Sequence, residues 1–192
     1  MRTRTQPPRR PLFAVAMSLL TVVPLLVGGC IEPPEREADA DSTHAKADAP
    51  TSAKRQATIP ADGWNDNIAW RGFEEGLKEA KSSGMPVMMV VHTDWCGNCQ
   101  KLKRTFNADA KLEQLSERFV MVHVNQDDNP EATLYGPDGQ YIPRVMFLDA
   151  NGNVDQGLQN PNRPSRFRYF YTPQEDLVAT MRRALDQHGN KS

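Results

Sequence analysis

The 192-residue chain has only three cysteines, too few for a disulfide framework and an odd number that cannot all pair within one molecule. Neither sign of charge dominates, with 23 Lys and Arg against 24 Asp and Glu. That balance leaves no basic field for nucleic acid. Hydrophobic residues make up only 39% of the chain and prolines number 15, so part of it lies outside any core. No phosphate-binding glycine loop, zinc-protease motif, catalytic serine elbow or internal repeat occurs. What is left is one modest globular domain with further sequence attached to it.

The attached sequence begins at the N-terminus. Arg2, Arg4, Arg9 and Arg10 make a positive start, followed by an apolar stretch from Leu12 to Val27 and then Gly28-Gly29-Cys30. A cationic start, a short apolar run and small residues before a cut site describe an export signal over residues 1–29. The apolar run is shorter than the roughly 20 residues a membrane-spanning helix needs. Cys30 directly after two glycines resembles the bacterial lipoprotein box, whose cysteine receives a diacylglyceryl thioether and becomes the new N-terminus. The competing reading is a plain secretory signal with a chance cysteine. Arg9-Arg10 suggests a twin-arginine signal, which Pro11-Leu12-Phe13 fits poorly. Cleavage before Cys30 removes four arginines and no acids, leaving a mildly acidic chain held to the membrane by lipid rather than by charge.

Residues 30–60 are dominated by Ala, Asp, Glu, Pro, Ser and Thr and contain no aromatic residue. Such a segment cannot offset its ordering entropy by burial, so it is expected to be a flexible tether, with His44 a solvated part of it. The domain is expected over residues 61–190.

Within it, Phe73, Leu77 and Ala80 sit at helical spacing before Gly84. Pro86–His92 is a continuous apolar run that suits a strand buried on both faces. Cys99, Leu102 and Phe106 share a helix face, and a shorter helix carries Leu112 and Leu115. Phe119–Val124 and Arg144–Leu148 are further buried strands. Asn151-Gly152 predicts a hairpin with a return strand starting at Val154. Thr172-Pro173-Gln174-Glu175 predicts the start of a last helix, capped by Thr172 and Glu175, with Leu177, Met181 and Leu185 on its apolar face and Gly189 as its end. The order predicts an α/β domain, a central mixed β-sheet flanked by α-helices.

The chemistry centres on Trp95-Cys96-Gly97-Asn98-Cys99, between a buried strand and a helix. Cysteines three apart at a helix start can close a small disulfide with little rearrangement. Free N–H groups and the positive end of the helix dipole favour thiolate at Cys96, which makes it the candidate nucleophile. Cys99, in the first turn, is the candidate resolving thiol. Cycling between dithiol and disulfide needs no cofactor.

Trp95-Cys96-Gly97-Asn98-Cys99-Gln100-Lys101 resembles the thioredoxin active site, and Ile142-Pro143 matches that family's signature cis-proline. The resemblance implies a thioredoxin fold in which Trp95, Ile142 and Pro143 shape the substrate groove. His92–Cys99, Arg118–Val122, Pro137–Arg144, Phe147–Asp149 and Tyr169–Tyr171 look like one branch, the small endoplasmic-reticulum proteins of the anterior-gradient group. The similarity spans roughly residues 64–188. Thioredoxins carry a buried acid six positions before the first cysteine, where this chain has Val90. His92, or His123 on the next strand, could accept a proton in its place with a pKa near neutrality. Reducing thioredoxins hold Gly-Pro between the cysteines and disulfide isomerases Gly-His; Gly97-Asn98 matches neither, so the motif leaves the direction of electron flow open. Asn98 could tune the thiolate through a hydrogen bond.

No second CxxC or HxxxH is present to complete a zinc site. Cys96, Cys99 and His92 are the copper alternative. Asp149–Asp155 mimics the start of a calcium loop but lacks the later Gly and Glu, so a hairpin turn is expected there. Trp64, Trp70, Phe167, Tyr169, Phe170 and Tyr171 are core or groove wall, with the Tyr169–Tyr171 cluster as the candidate substrate-facing surface.

Two functions are weighed on these residues. One is a membrane-tethered thiol–disulfide oxidoreductase without a metal or cofactor, acting on cysteines of exported proteins and served by a separate redox partner. The other is a non-catalytic chaperone or binding module on the same scaffold. The signal and Cys30 place either one on the periplasmic side of a bacterial envelope. Ile31, where inner-membrane lipoproteins carry Asp, favours the outer membrane.

Overall fold

A computed structural model describes residues 54–189. The elements run β1 (Trp70–Arg71), α1 (Phe73–Ser83), β2 (Val87–His92), α2 (Gly97–Ala108), α3 (Ala110–Ser116), β3 (Val120–Asn125), a 3₁₀ turn (Pro130–Leu134), β4 (Arg144–Leu148) and α4 (Leu177–His188). The signal segment, Cys30 and the tether up to residue 53 lie outside the described residues. None of the described helices is long and apolar enough to cross a membrane.

The strands form one sheet in the order β1-β3-β2-β4. β1, β3 and β2 are parallel and β4 runs antiparallel against β2. Every residue of β2 and β4 is buried, which is why both read as uninterrupted apolar runs rather than alternating ones. Alternation instead sorts them between two cores. Met88, Val90, Met121, Val145 and Phe147 pack with Leu102, Phe106, Leu112 and Met181 under α2, α3 and α4. Val87, Met89, Val91, Val120, Val122 and Met146 pack with Ala80 of α1 on the opposite face. The helices therefore cover both sides of the sheet, and the fold is the expected α/β thioredoxin fold. α1 stops where Gly84 takes a left-handed φ of 73° and its N–H bonds the Ala80 carbonyl. Asp109 separates α2 from α3 by capping the N–H groups of Lys111 and Leu112.

Three expectations are corrected. The return strand is reduced to a single bridge between Leu148 and Val154. Beyond it, Asp155 and Asn160 fold their side chains onto Gly157 and Asn162 N–H groups, and Pro161 and Pro164 have no N–H to give a ladder. The last helix begins at Leu177, not after Thr172. The Thr172 N–H does donate to the Glu175 carboxylate at 2.6 Å, but Asp176 caps α4 through the Ala179 N–H. Finally, the expected end of the tether is docked. Arg55 pairs with Glu79 and donates to the carbonyls of Glu117 and Phe119, while Ile59 packs on the core.

Candidate active site

Cys96 and Cys99 are joined as a disulfide with their Cα atoms 5.2 Å apart. Cys96 occupies the N-cap of α2, in extended conformation, and its sulfur accepts the Cys99 N–H at 3.1 Å. The first sulfur of the pair therefore sits where a capping oxygen ordinarily would, facing unsatisfied N–H groups and the positive end of the helix. Cys99 is fully buried and Cys96 6% exposed, so any incoming thiol or disulfide meets Cys96 first. Gly97 and Asn98 are exposed, and a methyl group on Gly97 would meet open space. The Asn98 carbonyl accepts from Lys101 Nζ at 3.4 Å; among the described residues it makes no bond to Cys96.

The surrounding wall comes from loops at one end of the sheet. Trp95 is 74% exposed, yet its indole N–H is held by Asp127 at 2.8 Å, and Asp94 accepts from Asn125 at 3.2 Å. The Ile142–Pro143 peptide is cis. Because Arg144 pairs with Val91 near the end of β2, Pro143 arrives at the same edge from which residues 93–96 lead to the disulfide. Arg144 is itself completely buried. Its guanidinium donates to the carbonyls of Ala132, Tyr135 and Tyr141 and to the Gln126 side chain, at 2.7 to 3.2 Å. One side chain thus shapes the whole segment leading into Pro143.

Val90 is buried on the face covered by α2, and the histidines lie beside it. His92 Nε2 is 3.3 Å from His123 Nδ1, and His123 Nε2 is 2.9 Å from the Pro60 carbonyl. A carbonyl only accepts, so His123 carries its proton on Nε2 and His92 donates from its own Nε2, leaving His92 Nδ1 as a buried lone pair with no partner. Trp64 closes over His92 with ring centroids 5.2 Å apart, and Lys103 Nζ lies over Trp64. Burial, then the charges of His123 and Lys103, push His92 down to about 3; burial lowers His123 as well. This corrects the expectation of a base near neutrality, since two adjacent imidazoles in an aromatic box cannot both charge. A polar cleft of about 570 Å³ borders the pair, lined by Asp62, Asp94, Asn125 and Asp128 among others. Among the described residues no three His, Cys, Asp or Glu side chains are grouped to hold a metal ion.

The aromatic cluster divides differently from the expectation. Tyr169 and Tyr171 are core, with 0% and 1% exposure. Phe170 instead joins Phe167, Tyr141, Ile142 and Arg163 around a small cleft of about 210 Å³. Tyr141, Asp127 and Arg144 are the residues that sequence reading missed. Only Arg144, a guanidinium opening an otherwise apolar strand, carried a signal.

A thioredoxin-like family model matches residues 69–150. Anterior gradient protein 3 of Mus musculus is 34% identical over 136 residues, spanning 69% of this chain and 80% of that protein. The chain belongs to the thioredoxin-like family, in its anterior-gradient branch. The anterior gradient protein 2 homolog of Homo sapiens is 32% identical over 144 residues, 73% of this chain and 80% of that one. Among solved structures, a thioredoxin from Thermus thermophilus superposes with a TM-score of 0.47 at 21% identity, covering 64% of this chain and 91% of that one. This thioredoxin-like protein carries, at the start of α2, the dithiol–disulfide pair of a thiol–disulfide oxidoreductase.

Proposed function

We propose that the protein is a lipid-anchored thiol–disulfide oxidoreductase that acts on cysteines of exported proteins. The observation that carries this reading is the Cys96 sulfur at the N-cap of α2, the more accessible half of a disulfide whose other half is buried. In the reducing direction the Cys96 thiolate attacks one sulfur of a substrate disulfide, the other sulfur leaves as thiolate, and a mixed disulfide forms. The Cys99 thiolate then attacks Cys96, closing the pair and releasing the second substrate thiolate. The substrate gains two electrons and the enzyme loses two; a redox partner restores it, and in the oxidising direction the same steps run backwards. Among the described residues no hydrogen bond uses the Ile142 backbone, so its N–H and C=O are free to pair with an extended substrate chain. Trp95 and Pro143 flank that chain. Cys30 supplies the anchor, residues 31–53 the reach, and the periplasmic face of a bacterial envelope the location, with Ile31 favouring the outer membrane.

Trapping tests the reading. Cys99→Ser should accumulate mixed disulfides with exported proteins and Cys96→Ser none. A Cys96→Ser, Cys99→Ser variant that keeps full biological effect would overturn it. Cys30→Ser should abolish fatty-acid labelling and release the protein from membranes. A reduction potential near about −270 mV assigns a reductant, and one between about −180 and −120 mV an isomerase or oxidant.

A further inference from the structure

Among the described residues three large hydrophobic side chains are exposed: Trp95 at 74%, Leu134 at 82% and Phe167 at 38%. All three emerge at the disulfide end of the sheet. Trp95 follows β2, and Leu134 lies beyond β3, which runs parallel to β2. Phe167 belongs to the long connection after β4 but is carried back to that end. The Arg168 N–H donates to Asp138 at 2.7 Å, and the Tyr169 carbonyl accepts from Val145 at 2.8 Å.

Phe167 is also strained. Its φ of 55° is a left-handed conformation rarely adopted by a bulky side chain. The result is an edge-on contact between the Tyr141 and Phe167 rings, centroids 5.0 Å apart. Tyr141 cannot turn away, since its hydroxyl donates to Asp138 at 2.7 Å and accepts the Tyr169 N–H at 2.9 Å. Phe170 completes the wall, and Ile142 is shared with the edge where the substrate chain docks. An apolar cleft of about 210 Å³ is thereby held open beside that edge at the expense of backbone strain. Its rim is basic. The Arg163 guanidinium stacks over Phe170 at 4.7 Å while paired with Glu175, and the exposed Arg166 stacks over Phe167 at 4.4 Å with no ion-pair partner among the described residues.

The geometry points to a specificity cleft that takes one aromatic or large aliphatic side chain of the substrate polypeptide, within a few residues of its reacting cysteine, with an acidic neighbour facing Arg166. The inference rests on the oxidoreductase reading and names its substrate class: segments whose cysteine is flanked by apolar residues, as in unfolded or partly folded chains. The protein's own tether cannot serve as occupant, because residues 31–53 hold no aromatic and Ile31 is their sole large aliphatic residue.

The test uses synthetic peptides, each with one cysteine capped by glutathione, reduced by the protein with dithiothreitol as electron source. Phe is placed at each of three positions on either side of the cysteine and compared with Ser. One position should give a kcat/KM preference for Phe of roughly tenfold, the scale on which an apolar pocket discriminates. Phe167→Gly removes the ring while glycine adopts the left-handed backbone freely, and the preference should fall towards unity. Equal preference in wild type and variant overturns the cleft. If no peptide is reduced, the oxidoreductase reading fails instead, and calorimetry with the same peptides carrying Ser for Cys decides the cleft: a Phe peptide binding no tighter than its Ser counterpart overturns it. Concentration-dependent dimerisation abolished by Phe167→Gly would assign the cleft to a second copy and also overturn the proposal.

Discussion

His92 and His123, on neighbouring parallel strands, face each other through Nε2 and Nδ1 at 3.3 Å, beside the buried Val90 with which His123 is paired in register. Their tautomers are fixed from outside, by the Pro60 carbonyl, so the pair is a neutral relay of hydrogen bonds with one proton between each pair of atoms. Burial holds both rings below the ordinary histidine value, His92 at about 3.

That arrangement sets a sign for acid stability. His92 is held near 3 when folded, against an ordinary value of 6.5, so the unfolded chain binds its proton first as pH falls. The stabilisation is complete above about pH 6.5 and is lost progressively as pH drops towards 3. For His92 alone the loss between pH 7 and 5 is about 2 kcal/mol, and His123 adds in the same direction. Urea unfolding at several pH values checks it. His92→Gln, which keeps a donor towards His123, should flatten the curve; an unchanged curve would show that the pair does not govern acid unfolding.

Arg144 is predicted to be the strut of the loop that ends at Pro143. Arg144→Lys keeps the charge but loses the planar fork that reaches four acceptors at once. Stranding buried carbonyls should cost about 3 kcal/mol. Hydrogen exchange should quicken across residues 126–143 while the centres of β2 and β3 stay protected. Uniform loosening of the whole sheet would instead mean that Arg144 supports the core and not the loop.

The strands and helices that were legible share one property: each is long enough for its burial pattern to show in its own residues. β2, β3, β4 and α2 qualify. β1, two residues long, does not; Trp70 and Arg71 become a strand because Met121 and Val122 are there to pair with them. The start of α4 was misplaced because two capping signals lie four residues apart, and the one at Asp176 wins. The cysteines were legible because their chemistry depends on a spacing of three. Tyr141 and Phe167 were not, since their meeting depends on a 26-residue detour closed by Asp138 and Val145. Arg144 was visible as a charge in an apolar run, but its acceptors are loop carbonyls, which leave no mark in a sequence.

Asp127 should decide how firmly Trp95 is presented. Trp64 and Trp70 are buried at 1% and 0% exposure, so quenching by a soluble quencher reports largely on Trp95. Asp127→Ala removes the 2.8 Å acceptor of the indole N–H. The ring should gain rotational freedom in time-resolved anisotropy, and KM for a peptide disulfide should rise by about three- to tenfold, the worth of one hydrogen bond. Unchanged ring mobility with unchanged KM would show that Trp95 is held by packing and that Asp127 is incidental.

Asn98→His tests how the potential is set. Asn98 is exposed in the first turn of α2, and its carbonyl is turned towards Lys101. The thiolate at Cys96 therefore depends on the helix terminus and on the Cys99 N–H. A histidine at this position adds a titratable positive charge close to the sulfur. An opposite charge in that range favours the thiolate by about one pKa unit, or about 1.4 kcal/mol. Stabilising the thiolate stabilises the reduced pair, so the disulfide becomes more oxidising, by about 30 mV for a two-electron couple. The increment should vanish above about pH 8, where the imidazole is neutral. Thiolate absorbance gives the Cys96 pKa and equilibration in glutathione buffers gives the potential. A potential that rises and stays raised at high pH would mean that the new ring acts by packing or hydrogen bonding; an unchanged one would mean that the terminus of α2 already saturates the stabilisation of Cys96.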